Sequence, residues 1–333
     1  MATDRMTTFG SVYRQSLYKR LLSIPEIGVF VAVVVFFGLF VLANKSMAEP
    51  ANLVRMASQG IFIGLCAFGM SFLMIAGEID LSSGATAALA AVIAGLLRVN
   101  YGWPEWAAIV AALSVAVMVG LLNSFIVFKI RMPSFFATLG TSFLIFGLAL
   151  WLVSGTYIYV GDQIPFLTAA LAPSSFFGLP RVFLPLLAAF IIGDVLIRTS
   201  RLGPLLTAVG GNPQAAAIVG IHVPLVKTLC FVFVSLCCGL AGLLVSGYAG
   251  TADASIGDGW LLWVVAIAII GGGSLRGGVG SIIGALLGTI LIQVIRMGLA
   301  NAHVQTNAQG IVIGAILIGA AMLDVIRRRT AQY

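Results

Sequence analysis

The sequence predicts an all-α integral membrane protein with about ten transmembrane helices, both termini cytoplasmic, and a short helix standing outside the membrane on the cytoplasmic side. Three observations predict it. Sixty per cent of the 333 residues are hydrophobic and only 9% are charged, against roughly 25% charged in soluble domains. Ten apolar runs can be placed, at about 27–43, 56–76, 85–97, 105–128, 135–153, 182–197, 228–247, 260–272, 282–297 and 309–325, and about 20 residues cross a bilayer. With the N-terminus inside, all of the 18 Lys and Arg except Lys45, Arg55, Arg98, Arg181 and Arg296 fall in cytoplasmic segments, the bias that orients membrane proteins. The net charge of +7 therefore sets orientation in the membrane and does not mark a nucleic-acid surface.

Taken in order, residues 1–25 form a cytoplasmic N-terminal segment carrying Arg5, Arg14, Lys19 and Arg20. That basic stretch is longer than a signal peptide's, so the first run reads as an uncleaved span. Residues 26–326 form the transmembrane domain and 327–333 a cytoplasmic tail, which leaves no room for a sizeable soluble domain. Runs 85–97 and 260–272 look too short to cross as regular helices, and each adjoins a Gly-rich break, GEIDLSSG at 77–84 and GGGSLRGGVG at 271–280. Broken backbone at membrane depth is tolerated only where protein or water covers it, and a matched pair of such breaks points to a transport pathway. Segment 154–181 is the longest external loop and could receive a partner protein, and the small, acidic segment 248–259 faces the same side.

The longest run a bilayer would not accept is 198–227. Within it Gly210, Gly211 and Asn212 break the chain, Pro213 suits a first helical position, and 214–219 forms a short helix ended near Gly220.

Few polar residues lie inside the apolar blocks. Glu78, Asp80 and Ser82 adjoin the first break near the cytoplasmic surface, where two roles stay open: a polar pathway, or capping of the following helix. Asn123, Thr138 and Thr141 sit within spans, where they either link helices by hydrogen bonds or line a path. Asp194 and Arg198 are spaced for an i,i+4 pair. His222 and His303 carry no assigned role. The four cysteines lie in apolar runs without a CxxC pair, so neither a disulfide nor a metal site is expected. No catalytic constellation is present, and the chain reads as a transport subunit and not an enzyme.

Four motifs carry a resemblance that runs from about residue 53 to 325. They are AGEIDLSSGA at 76–85, GLLNSFIVFKIRMPSFFATLGT at 120–141, TSRLGPLLTAVGGNPQAAAIVGI at 199–221 and GGGSLRGGVGSIIGALLG at 271–288. Their order and spacing resemble the permease subunits of ribose-, arabinose- and galactose-type ATP-binding-cassette (ABC) sugar importers. The resemblance implies a location in the bacterial inner membrane and a dimer with a second permease subunit, identical or related. It implies a cytoplasmic ABC ATPase subunit that binds ATP and Mg, no cofactor in this chain, and a periplasmic sugar-binding protein that delivers the solute. It also implies that 210–220 is the coupling helix, with Gly210, Gly211, Asn212, Ala215, Ala216 and Gly220 meeting the ATPase.

The sequence departs from the family pattern at three places. Pro213-Gln214-Ala215 replaces an acidic segment, Glu78 replaces a common Gly, and Leu261 and Trp263 stand where relatives carry acids beyond the one retained as Asp258. The reading is thus an importer permease for a sugar or sugar-like polyol, with Asn123, Thr138, Thr141, Glu78, Asp80 and Ser82 as candidates for the solute pathway. The alternatives are a permease for branched-chain amino acids or nucleosides, or an ion-coupled secondary transporter.

Overall fold

A computed structural model describes residues 25–174, 176–305, 310–312, 314, 315, 318 and 319. The N-terminal segment, the C-terminal tail and most of the tenth expected span lie outside the described residues.

Long apolar stretches become helices because every backbone polar group within lipid must be satisfied inside its own segment. In order these are α1 (Pro25–Ala43), α2 (Pro50–Ile75), α3 (Ser83–Gly95), α4 (Glu105–Phe128), α5 (Ser134–Leu152) and the surface helix α6 (Pro165–Leu171). They continue as α7 (Phe183–Thr199), α8 (Leu202–Gly211), α9 (Pro213–Ile218), α10 (Val223–Ala249), α11 (Trp260–Ile270) and α12 (Ile282–Asn301). Among the described residues seven helices are long and apolar enough to cross a membrane, or eight if α7 and α8, bent by 75° where they meet, count as one broken span.

Two expectations are corrected. The run at 85–97 is not short: its helix starts at Ser83 and continues through a π-helical turn, Leu96–Asn100, to give 18 membrane-crossing residues. Arg98 does not end it, because its guanidinium donates to the Gln163 and Trp103 carbonyls. Only α11 stays short, 11 residues or roughly 16 Å. Segment 198–227 is also more ordered than a loop with one helix. Gly203 and Pro204 fall in the first turn of α8, where a missing N–H costs nothing, and Gly210 and Gly211 complete its last turn. The chain turns at Asn212 instead.

The core forms where α10 packs on α2, α3 and α4. Close approach rests on small residues, as expected between helices in lipid. A side chain on Gly242 of α10 would strike the Ala87 carbonyl of α3, and one on Gly120 of α4 would strike the Phe231 carbonyl of α10. Phe68, Phe72 and Phe233 pack edge to face beside this crossing, with Phe190 tilted against Phe68. At one end of the bundle β1 (Tyr157–Tyr159) pairs antiparallel with β2 (Thr251–Asp253), Tyr157 opposite Asp253. Segments 154–181 and 248–259 therefore do share one side. At the opposite end the expected Asp194–Arg198 pair forms at 2.7 Å, and Glu26 joins it at 3.0 Å from Arg198 while accepting from Ser281 Oγ at 2.7 Å. That cluster ties α1, α7 and the start of α12 together. The four cysteines are buried free thiols.

Candidate solute groove and coupling region

The two Gly-rich breaks and the end of α8 meet at a single backbone-to-backbone junction. Gly278 N–H donates to the Ile75 carbonyl at the end of α2, 2.9 Å away. A Cβ on Gly210 would collide with that same carbonyl oxygen, one on Gly277 with the Cα of Gly77, and one on Gly278 would sit 3.0 Å from the Cα of Gly211. Gly77, Gly277 and Gly278 all have positive φ, a conformation glycine adopts at little cost. Three separated motifs thus touch where no side chain fits.

From this junction the short helix α9 projects outward. Asn212 caps it, accepting from the Ala215 N–H at 2.9 Å, and Pro213 occupies its first position. Gly220 ends it with φ of 88°. Ala216 is buried against the body of the protein, Ala215 and Gly220 are exposed, and Ile218 and Val219 are 86% and 75% exposed. Two apolar side chains so fully exposed on a helix outside the bundle make a contact surface. The sequence reading placed the helix and missed these two residues. Just beyond α9, Lys227 reaches into the protein and pairs with Glu78 of the first break at 2.7 Å, the two side chains 7% and 14% exposed. Glu78 therefore holds α10 to the break.

A second glycine contact lies deeper. A side chain on Gly84, in the first turn of α3, would collide with the Gly257 carbonyl, just before α11. The N-termini of α3 and α11 therefore touch, beside a groove of about 220 Å³ lined by Leu81, Gly84, Ser142, Phe143, Asp258 and Leu261, among others. Its α5 residues, Leu139 to Phe146, occupy the middle turns of a 19-residue helix, which sets the groove near half-depth in the bilayer. The two helix N-termini carry partial positive charge, and of the two helices only α11, at 11 residues, is too short to cross the membrane. Asp258 is exposed there, and among the described residues no ion pair reaches it. A lipid-facing carboxylate at that depth costs about 2.5–3.5 kcal/mol. A second groove, lined by Thr156, Tyr157, Asp253 and Ser255, adjoins the first at Ala254 and leads toward the β1–β2 end.

The other expected pathway residues sit one layer behind this wall. Ser82 donates its N–H and Oγ to Asp80 Oδ1 at 2.7 and 2.5 Å, and Asn123 Nδ2 donates to Ser82 Oγ at 2.9 Å. Leu81 N–H donates to Thr138 Oγ1 at 3.0 Å, so the knot links the first break to α4 and α5. Thr141 returns its hydroxyl to the Ala137 carbonyl and stands apart from the knot. All five side chains are at most 1% exposed, and it is their neighbours Leu81 and Leu139 that face the groove. Asp258 and Ser142 face it too. The signal for Asp258 was its flanking pair Gly257 and Gly259, both at positive φ, which turn the chain back into the membrane.

A polytopic apolar bundle with a polar groove and a short helix protruding at one end is the architecture of a permease. Residues 52–321 match the family described as branched-chain amino acid transport system / permease component, and the chain belongs to that family. It is 33% identical to the ribose import permease protein of Bacillus subtilis (strain 168), over 92% of this chain and 93% of that one. It is 29% identical to the galactose/methyl galactoside import permease protein of Escherichia coli (strain K12), covering 91% and 95%. It is 28% identical to the L-arabinose transport system permease protein of the same strain, covering 90% and 91%. No solved structure matches the chain.

Proposed function

We propose that the chain is the transmembrane permease subunit of an ABC importer for a sugar or sugar-like polyol. A cytoplasmic ATPase subunit docks on α9, and a binding protein delivers solute to the outer side around β1 and β2. The observation that carries this reading is the mid-depth groove, in which the N-termini of α3 and α11, Ser142 and Asp258 supply donors and acceptors for hydroxyl groups with one fixed charge. ATP-driven movement enters at Ile218 and Val219, passes through the glycine junction to both breaks, and shifts the starts of α3 and α11 beside the groove, a rigid-body relay between packed elements.

A second reading has its own observation. One carboxylate facing two helix N-termini also suits a zwitterionic amino acid, with Asp258 at the ammonium and the N-termini at the carboxylate. The test is to reconstitute the permease with its ATPase and binding protein and measure ATP hydrolysis against a panel of solutes. Stimulation by a pentose, hexose or polyol is expected. Stimulation by leucine-like amino acids alone overturns the sugar reading.

A further inference from the structure

We infer that Asp80, Asn123 and Ser235 form a binding site for one sodium ion, which ties the first break to α4 and α10. Among the described residues four buried side-chain nitrogen or oxygen atoms lack a hydrogen-bond partner, and three of the four are Asp80 Oδ2, Asn123 Oδ1 and Ser235 Oγ. The three residues are fully buried and come from three different elements. Buried polar atoms are nearly always partnered, so a cluster of unmatched ones calls for an ion or a water among them.

The surrounding network fixes what these atoms offer. Asp80 Oδ1 accepts from the Ser82 N–H and Oγ, and from Asn123 Nδ2 at 3.4 Å, while Oδ2 accepts from nothing. The Ser82 hydroxyl hydrogen is committed to Asp80, so the Asn123 atom 2.9 Å from Ser82 Oγ is the amino group. The amide oxygen of Asn123 is thereby turned away from every donor. Ser235 is also unlike its counterparts. Ser71, Thr86, Thr141 and Thr289 each donate to the carbonyl one turn back, as buried hydroxyls in helices commonly do. The Ser235 hydroxyl does not; it lies close enough to Asp80 to interact with the carboxylate, without making a hydrogen bond.

Charge selects the occupant. Among the described residues no Lys, Arg or His pairs with Asp80, and a buried carboxylate without compensation is strongly disfavoured. A water matches the hydrogen bonds and leaves the charge. A proton cancels the charge but makes one hydrogen bond, which leaves one of the three atoms unmatched. A small monovalent cation answers both needs, since all three ligands are hard oxygens and one carboxylate balances one positive charge. A divalent ion would carry excess charge into the core, and no group of three or more His, Cys, Asp or Glu is present among the described residues to hold a transition metal. Unwound membrane segments bind sodium through oxygens of this kind. Leu81, between Asp80 and Ser82, lines the groove, so the site lies one residue behind it. The site rests on these contacts and not on the transport function proposed above.

The experiment uses the purified full-length chain in detergent. Thermal unfolding is followed at one pH in sodium, potassium and choline chloride of equal ionic strength, and binding of radioactive sodium is measured alongside. An ion that binds only the folded state raises the unfolding temperature as its concentration rises. The expected result is an unfolding temperature that climbs with sodium, climbs less with potassium and is unmoved by choline, together with saturable sodium binding. Ser235→Ala removes an oxygen that no protein group uses, so a hydroxyl without an ion would be lost silently; the site instead requires a loss of sodium affinity of about tenfold or more. Asp80→Asn should abolish the sodium response. Equal unfolding temperatures in the three salts overturn the site, as does an equal response to sodium and potassium. A sodium response that survives Asp80→Asn, or parental sodium affinity in Ser235→Ala, puts the ion elsewhere and overturns it too. Dependence on pH without dependence on sodium gives the carboxyl a proton and rejects the ion. None of these readouts involves uptake, so a failure here is distinct from a failure of the proposed transport function.

Discussion

At Gly210 and Gly211 two adjacent glycines have opposite requirements. A methyl group on Gly210 meets the Ile75 carbonyl, whereas one on Gly211 finds only the Cα of Gly278, 4.0 Å away. Gly210→Ala should therefore destabilise by about 1–3 kcal/mol, as overpacking does. Gly211→Ala, in the last turn of α8, should be neutral or stabilise by up to about 1 kcal/mol, the helix-propensity gain. Thermal unfolding of the detergent-purified protein checks both. The sequence marked both glycines equally because their identity shows and their neighbours do not; only the contact with α2 separates them. A second prediction concerns Lys227. Leaving Glu78 buried without its partner should cost about 3–5 kcal/mol in Lys227→Met, while the double variant Glu78→Leu/Lys227→Met should recover most of that loss. Equal unfolding temperatures for the single variant and the parent would show that the pair contributes nothing.

Among the elements, the ones set by apolar length were legible, and so was α9, whose Asn-Pro start and Gly end are local signals. What the sequence concealed came from long-range contact. The π-helical extension of α3 depends on carbonyls of residues 103 and 163 accepting from Arg98. The burial of Asp80, Ser82, Asn123 and Thr138 depends on α4 and α5 closing over the first break. A polar residue in a span has the same appearance whether it lines a path or ties helices together, and only packing decides between them. The sidedness of the elements is open to direct test. Gln214 on α9 and Ser255 beyond β2 are both exposed, at ends of the molecule that charge bias places inside and outside. An impermeant maleimide added to sealed right-side-out membranes should label Ser255→Cys and spare Gln214→Cys; the reverse pattern inverts the topology.

Across the whole molecule, two glycine contacts lie between α9 and the groove. The junction of Gly77, Gly210, Gly277 and Gly278 joins α9 to both breaks, and the contact of Gly84 with Gly257 joins α3 to the start of α11 at the groove. Because these are backbone contacts without side-chain slack, a shift of α9 reaches the groove without being absorbed on the way. The central claim is that the ATPase drives this relay through the exposed tip of α9. Ile218→Asp tests it most directly, since a side chain 86% exposed can change without disturbing the fold. The measurement is binding of the ATPase subunit to the purified permease, made alongside solute uptake in proteoliposomes. The account predicts normal membrane insertion and unfolding temperature, at least tenfold weaker ATPase binding, and loss of ATP-driven uptake. Parental ATPase binding together with parental uptake by Ile218→Asp would contradict it.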